Sequence, residues 1–216
     1  MTVSGESSKS PNLRLAILIL AAGEGSRLGG YPKALLKKDG DSLLKYFVQS
    51  IQTLEPLETL IVTGFYSDQI EAEIKLIKQF VASPITWVKN LQPELGQASS
   101  IRLGLESLRS DYDVLTIALC DQPSIASTEI EALLGQFNQR AANQEIILPM
   151  VNGQRGNPVL FSRRVINQIL SIPGMVCRPY MNEHPELVKS FTTDNKAYLM
   201  DVDTQSDIQK LGLDPI

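Results

Sequence analysis

Four glycines and two basic residues lie close together in the stretch LAAGEGSRLGGYPKALL, residues 20–36. Glycine lacks a Cβ, so its backbone can adopt left-handed conformations and direct N–H groups at a bound anion. Arg27 adds a planar guanidinium that can bind two oxygens at once, and Lys33 adds a compact ammonium. The combination predicts a phosphate-binding loop built on Gly23, Gly25, Gly29 and Gly30.

Two well-known glycine motifs do not fit this stretch. A dinucleotide fingerprint needs a third glycine where Leu28 stands, and an acid at the end of the next strand, where residues 63–65 read TGF. A Walker A loop needs lysine directly after its second glycine, where Tyr31 stands. The pattern therefore disfavours NAD and a P-loop, and the structural alternative is a surface turn with two solvated cations.

Asp121 follows the apolar run Val114–Leu119, which predicts a central strand. Open α/β sheets bind ligands just outside the carboxyl ends of their strands, so Asp121 is a candidate metal ligand. The alternative is that it caps the turn before Pro123.

Asp201 and Asp203 lie in YLMDVDT, residues 198–204, which we expect to be a short strand. Side chains alternate along a strand, so only one of the two acids can point to a given face. The alternative role is structural, with Asp203 or Thr204 capping the helix that starts at Gln205.

Two further segments place polar groups at element ends. Residues 96–100, GQASS, open a helix, where hydroxyls and free N–H groups gather, although an ordinary helix cap would look the same. Residues 152–161, NGQRGNPVLF, read as a turn at Gly153 and Gly156 before an apolar strand, so a simple hairpin is the alternative there.

Strands and helices alternate along the chain. The apolar patterns predict strands at 15–20, 59–63, 85–88, 114–119 and 146–150, and helices through 43–51, 70–80, 101–108 and 130–137 and from 205 onward. This order predicts a three-layer α/β/α, Rossmann-like fold with a mostly parallel mixed sheet. We expect a disordered tail at residues 1–12 and a single domain at 13–216.

The composition excludes several classes of function. A net charge of −4 argues against nucleic-acid binding, which needs a basic surface. We find no membrane span and no signal peptide, and the two cysteines have no metal or disulfide spacing, so we expect a soluble cytoplasmic protein. The single histidine, His184, lies in a polar segment, and Cys120 has no paired histidine, so neither is a good candidate for catalysis.

The stretch at 20–36 resembles the signature LAAGxGxRxGxxxPKxLL of sugar-nucleotide and cofactor nucleotidyltransferases. Four separated motifs between about residues 14 and 211 are similar to the MobA-like branch, and most similar to the molybdenum cofactor cytidylyltransferases. The resemblance implies transfer of CMP from CTP to the phosphate of molybdopterin, with release of pyrophosphate. It implies Mg²⁺, with Mn²⁺ as an alternative ion, held by Asp121 and Asp203.

The resemblance also implies roles for particular residues. Catalytic roles fall on Arg27, Lys33, Asp121 and Asp203. Nucleotide binding falls on Leu20, Ala21, Ala22, Gly23, Gly25, Ser26, Arg27, Lys33, Gly64, Asn90, Gln97, Ser99 and Ser100. Contact with the phosphorylated pterin acceptor falls on Arg155, Gly156 and Pro158. A molybdoenzyme that receives the product is a further candidate partner.

The segment SIPGMVCRPY, residues 171–180, departs from the GDxGxR-like segment common in these relatives. It keeps Gly174 and Arg178 but has no aspartate. The alternative therefore stays open that a nucleotidyltransferase of the same fold uses GTP or another phosphorylated acceptor.

Overall fold

The computed structural model describes residues 13–214. The tail expected at residues 1–12 lies outside the described residues, as do residues 215 and 216. The strands are β1 (Leu15–Ala21), β2 (Lys37–Lys38), β3 (Asp41–Ser42), β4 (Glu58–Thr63), β5 (Ile85–Lys89), β6 (Val114–Leu119), β7 (Ile146–Val151), β8 (Gln154–Arg155), β9 (Val159–Ser162) and β10 (Val188–Thr192). The α-helices are α1 (Leu43–Ser50), α2 (Ser67–Ile77), α3 (Gln97–Ser107), α4 (Ser127–Asn138), α5 (Arg163–Ser171), α6 (Cys177–Glu183) and α7 (Gln205–Lys210).

The main sheet has the strand order β10-β7-β9-β6-β1-β4-β5, with β8 paired to β7. β1 is parallel to both of its neighbours, β4 and β6, whereas β9 is antiparallel to β6 and β7. The expected mostly parallel mixed sheet is confirmed. Because β6, β1 and β4 run the same way, the segments that follow Leu119, Ala21 and Thr63 meet at one edge of the sheet.

Successive side chains of β1 enter opposite hydrophobic cores, as the pleat of a strand requires. Ile17 and Ile19 pack with α1, α2 and α4, whereas Leu18 and Leu20 pack with α3, α5 and α6. The sheet is therefore covered by helices on both faces, and the predicted three-layer α/β/α architecture is confirmed. A third, smaller cluster joins Leu28 of the glycine loop to the α7 region.

The local signals for helix starts agree with the structure. Ser42 caps α1 by accepting a hydrogen bond from the Lys45 N–H at 3.0 Å. Thr204 caps α7 in a capping box with Asp207. The alternative that Asp203 or Thr204 caps this helix is therefore correct for Thr204.

Three local expectations differ from the structure. Residues 198–204 form no strand: a 3-10 turn, Lys196–Leu199, leads into an irregular segment. The turn at Gly153 and the apolar strand β9, which pairs antiparallel with β7, agree with the expected hairpin, but the turn leads into β8 first, and Gly156 packs against Tyr198. Helix α2 ends before Phe80, whose side chain lies exposed. Local patterns missed the packing of Gly156 and the course of residues 198–204 because contacts between distant segments decide them.

No helix in the part of the chain that the structure describes is long and apolar enough to cross a membrane.

Candidate active site

The glycine loop leaves the end of β1 and curls back on itself around one carbonyl group. The N–H groups of Leu28 and Gly30 donate to the Gly25 carbonyl oxygen at 2.8 and 3.1 Å. Gly25 has φ +63°, and a Cβ there would overlap the carbonyl oxygen of Tyr31, so this position requires glycine. The Tyr66 hydroxyl fixes the loop from outside by donating to the Glu24 carbonyl oxygen at 2.8 Å.

Four charged side chains from distant parts of the chain meet beside this loop. Lys33 Nζ lies 2.9 Å from Asp121 Oδ2 and 2.6 Å from Asp203 Oδ1. Arg27 Nη1 lies 3.2 Å from the other oxygen of Asp203, Oδ2. The structure thus brings together all four side chains to which the resemblance gives catalytic roles, and their formal charges sum to zero.

Asp121 and Asp203 are placed side by side by a backbone contact. The Val202 N–H donates to the Asp121 carbonyl oxygen at 3.0 Å, which joins the end of β6 to the segment that precedes α7. Val202 itself is fully buried. Its two neighbours in sequence, Asp201 and Asp203, differ in their contacts. Asp203 pairs with Lys33, whereas burial and the nearby Asp121 and Asp203 carboxylates raise the pKa of Asp201.

The electrostatics of Lys33 keep its ammonium charged. Burial lowers the pKa of Lys33, but the charges of Asp121 and Asp203 and their hydrogen bonds outweigh that effect, and the net shift is upward. The side chain is only 18% exposed, so the ion pairs lie in a region of weak solvent screening. This makes the lysine a fixed positive charge beside the loop.

Asp121 and Asp203 are the candidate ligands for a divalent cation. Asp121 Oδ1 is buried and has no hydrogen-bond partner within residues 13–214, so one carboxylate oxygen is left to accept a ligand. Asp121 and Asp203 offer the oxygen donors that Mg²⁺ and Mn²⁺ prefer. No group of three or more His, Cys, Asp or Glu in the described residues could hold a metal ion, so further ligands would have to come from substrate and water.

A cavity of about 280 Å³ opens between the glycine loop and the start of α3; we call it the loop cavity. Lys33 and Asp121 line it, so the charged cluster faces this space. The predicted residues that line it are Leu20, Ala22, Gly23, Gly25, Lys33, Gln97, Ser100 and Asp121.

Several residues predicted to bind nucleotide lie behind this lining. Asn90 is buried and donates to the hydroxyls of Ser99 and Ser100 at 2.8 and 3.0 Å, so it supports the start of α3. A Cβ on Gly64 would approach the Ala22 carbonyl oxygen to 2.7 Å, which gives this glycine a packing role. Among the described residues, Ala21, Ser26 and Arg27 also lie outside the cavity lining.

A second cavity, of about 160 Å³, adjoins the loop cavity; we call it the arginine cavity. Leu20, Gln97 and Leu119 line both, so these three side chains form the shared wall. Polar and apolar groups both line the arginine cavity, and Arg155 and Arg178 supply its positive charge.

The predicted acceptor residues differ in position. Arg155 and Gly156 line the arginine cavity, and Pro158 is buried next to it without lining it. Arg155 is oriented by Asn182 of α6, whose Oδ1 accepts from Arg155 Nη1 at 2.8 Å.

Sequence reasoning missed part of both cavities. Glu24, Phe65 and Pro93 also line the loop cavity, and Cys177 and Met181 of α6 line the arginine cavity. Of these residues, only Glu24 could have been predicted from the sequence, because it lies inside the glycine motif. The helix that carries Cys177 and Met181 begins in the segment where the sequence departs from its relatives, so no motif marked it.

A family model described as the MobA-like NTP transferase domain matches residues 17–185. The bifunctional protein GlmU of Psychrobacter arcticus is 32% identical over 120 residues, which is 55% of this chain and 25% of that protein. The chain thus spans about a quarter of the length of this relative.

Solved structures share the fold at low sequence identity. Rv0371c from Mycobacterium tuberculosis has a TM-score of 0.70 and 20% identity over 93% of this chain and 98% of that chain. A manganese complex of Rv0371c has a TM-score of 0.64 and 19% identity, covering 92% of this chain and 97% of that chain. The 4-diphosphocytidyl-2C-methyl-D-erythritol synthase from Anaerococcus prevotii has a TM-score of 0.71 and 13% identity, covering 93% and 95%.

Proposed function

The chain belongs to the MobA-like NTP transferase domain family, and from this premise we propose that it is a nucleotidyl transfer enzyme, which transfers CMP from CTP to the phosphate of molybdopterin. The observation that carries the proposal is the meeting of Lys33, Asp121 and Asp203 beside a loop cavity that shares a wall with the arginine cavity. A triphosphate in the first cavity and a phosphorylated acceptor in the second would bring their reacting groups together at that wall.

In the proposed reaction, an oxygen of the acceptor phosphate attacks the α-phosphorus of CTP. The bond from the α-phosphorus to the bridging oxygen breaks, and pyrophosphate leaves. A phosphate monoester has its second pKa near 6, so the nucleophile is already ionised at neutral pH and needs no general base. This agrees with a site made of cations and carboxylates, because the protein's contribution is positioning and charge neutralisation.

In this proposal the residues of the chain have separate tasks. The loop N–H groups and Lys33 bind oxygens of the triphosphate, and the exposed Arg27 approaches it from the solvent side. Asp121 and Asp203 would hold a divalent cation, with Mg²⁺ as the proposed ion, which supplies charge neutralisation when bound. The 18% exposure of Lys33 strengthens its attraction for phosphate oxygens relative to a solvated lysine.

The arginine cavity supports an acceptor that combines a flat apolar body with a phosphate. Ile117, Val159 and Phe161 supply apolar surface, and Arg155 and Arg178 supply two guanidinium groups suited to phosphate. A phosphorylated pterin has both parts. This match supports molybdopterin as the acceptor.

The choice of CTP is supported by the start of α3. Gln97 and Ser100 line the loop cavity with an amide and a hydroxyl that can hydrogen-bond to a base. The name of the Anaerococcus prevotii enzyme specifies a diphosphocytidyl product, and that enzyme shares the fold of this chain.

A second candidate is a nucleotidyltransferase of the same fold that uses GTP or another phosphorylated acceptor. The observation that favours it is α6, whose Cys177 and Met181 place apolar and sulfur-containing side chains against the arginine cavity. The relatives that the sequence resembles carry an acidic segment at the start of this region.

A thermal-shift panel tests the nucleotide. CTP, GTP, ATP and UTP are each added with and without Mg²⁺, because a ligand that binds only the folded protein raises its melting temperature. We expect the largest shift with CTP and Mg²⁺ together. A larger shift with GTP would select the second candidate, and no shift with any nucleotide would overturn both.

Product formation tests the acceptor. Purified protein, CTP, Mg²⁺ and molybdopterin should release pyrophosphate and yield molybdopterin cytosine dinucleotide, identified by its mass. Arg155→Gln should raise the KM for molybdopterin and leave the KM for CTP unchanged. Binding of CTP without any product would reject molybdopterin as the acceptor.

A further inference from the structure

Arg102, on α3, makes an unusually concentrated set of contacts with backbone carbonyl groups. Its Nη1 lies 3.2, 3.1 and 3.2 Å from the carbonyl oxygens of Ile169, Ile172 and Met175. Its Nη2 lies 3.1 Å from the Leu170 carbonyl oxygen. One side chain thus holds four carbonyls of a single segment, residues 169–175.

This segment is the end of α5 and the turn that follows. The last carbonyl groups of a helix have no partner within the helix, and a cation there also interacts favourably with the helix dipole. Arg102 supplies the charge and further donors, beside the backbone N–H groups of Ile172 and Met175, which donate to the Ile169 and Ile172 carbonyl oxygens at 3.2 Å each. Pro173 and Gly174 are exposed, and Gly174 has φ +71°, so the turn has little packing of its own.

The segment held by Arg102 leads directly into α6. Met175 is followed by Val176 and then by Cys177, Arg178 and Met181, which all line the arginine cavity. The position of the turn therefore sets the position of one wall of that cavity. Arg102 itself does not line it.

The backbone of Arg102 belongs to α3, the helix that contributes Gln97 to the shared wall. Gln97 lines both cavities, and Ile101, the neighbour of Arg102 in sequence, lines the arginine cavity. Arg102 therefore connects the helix that faces the nucleotide to the segment that faces the acceptor.

We propose that Arg102 is a positioning residue for acceptor recognition, which fixes the α6 wall of the arginine cavity relative to α3. The proposal rests on the assignment of the arginine cavity to the acceptor. Two of the measurements that test it, hydrogen exchange and cysteine alkylation, need no substrate. The positioning role can therefore fail separately from the proposed function.

The test compares Arg102→Lys and Arg102→Ala with the matched control Glu106→Gln. Lysine keeps a positive charge near the end of α5 but cannot reach several carbonyls with a planar fork. Glu106 is bound to Arg102 Nε at 2.6 Å and is half exposed, so its loss removes the ion pair and leaves the carbonyl contacts. If the alanine variant fails to fold, the lysine variant still tests the proposal.

The readouts that need no substrate are hydrogen exchange of residues 172–182 and alkylation of Cys177, followed by mass spectrometry. We expect both to be faster in the two Arg102 variants and unchanged in the control. Unchanged exchange and alkylation in the Arg102 variants would overturn the proposal, whatever the substrate proves to be.

The kinetic readout separates acceptor from nucleotide. With CTP, Mg²⁺ and molybdopterin, the Arg102 variants should raise the KM for molybdopterin about tenfold, which corresponds to about 1.4 kcal/mol. The KM for CTP and kcat should stay close to wild type. An equal rise in both KM values would show a general structural role and reject the positioning role. If wild-type protein does not use molybdopterin, the proposed function fails, and exchange and alkylation decide the role of Arg102.

Discussion

Lys33 Nζ lies 2.9 Å from Asp121 Oδ2, and both side chains are largely buried, with 18% and 17% of their surface exposed. Lys33 lies at the end of the glycine loop that follows β1, and Asp121 follows β6, the strand next to β1 in the sheet. The same ammonium also holds Asp203 at 2.6 Å. Lys33 thus occupies the space between the two carboxylates that are the candidate metal ligands.

Lys33→Met should weaken the binding of CTP and strengthen the binding of a metal ion alone. The change removes a charged hydrogen-bond donor from the phosphates, worth about 1.5–3 kcal/mol, or roughly 10- to 100-fold in affinity. It also leaves two carboxylates without their shared cation, which favours a divalent ion in its place. Mn²⁺ binding without nucleotide, followed by electron paramagnetic resonance, should be tighter than in wild type. Weaker Mn²⁺ binding in the variant would show that Lys33 does not compete for these carboxylates.

Asp121→Asn should lower nucleotidyl transfer more than about a hundredfold, because an amide cannot neutralise a bound cation as a carboxylate does. The fold should persist, since Lys33 keeps its contact with Asp203. Pyrophosphate release measures the transfer rate, and circular dichroism and the melting temperature check the fold. Transfer at the wild-type rate with saturating Mg²⁺ would remove Asp121 from the candidate site.

Asp203→Asn and Asp201→Asn should differ, although the two acids are separated by one residue. Asp203 contacts Lys33 and Arg27, so its substitution should slow transfer by about tenfold or more. The structure gives Asp201 no corresponding ion pair within the described residues, and its substitution should have a much smaller effect. Equal losses of pyrophosphate release in the two variants would contradict this assignment.

Gly25→Ala should weaken CTP binding more than Gly29→Ala. Both positions have a positive φ, so alanine is strained at each by about 1–2 kcal/mol. Only at Gly25 does a Cβ overlap a neighbouring atom, the Tyr31 carbonyl oxygen, whereas the space around Gly29 is open. Calorimetric titration with CTP and Mg²⁺ compares the two variants. Equal affinities would mean that the clash at Gly25 is relieved without moving the loop.

Asp113→Asn should lower the melting temperature at pH 7 and have less effect near pH 3. Hydrogen bonds from the Arg14 side chain and backbone N–H lower the pKa of Asp113 in the folded protein. A lowered folded-state pKa contributes stability above the unfolded pKa of about 3.9, and this contribution is lost as the pH falls through the folded pKa. Asp68→Asn is the control, because Asp68 is 98% exposed and 3.8 Å from its partner Lys89. A difference in melting temperature between wild type and Asp113→Asn that stays constant from pH 7 to pH 3 would contradict the expectation.

The sequence determined the fold class and the composition of the charged cluster. Apolar runs such as Leu15–Ala21 and Val114–Leu119 predict buried parallel strands. A strand that is apolar on both faces needs helices on both sides of the sheet to cover it, and this is the arrangement of parallel α/β sheets. The strand ends then fix where the glycine loop and Asp121 lie, since parallel neighbours end at the same edge.

Tertiary contacts decided what local patterns could not. Asp203 reaches Lys33 because the Val202 N–H binds the Asp121 carbonyl oxygen, a contact between residues far apart in sequence, and not because 198–204 forms a strand. The wall of the arginine cavity likewise depends on Arg102, which binds carbonyls about 70 residues away. Residue types and spacing specify local conformation, whereas the partners of exposed turns and irregular segments are fixed only when the packed chain brings their backbone groups together.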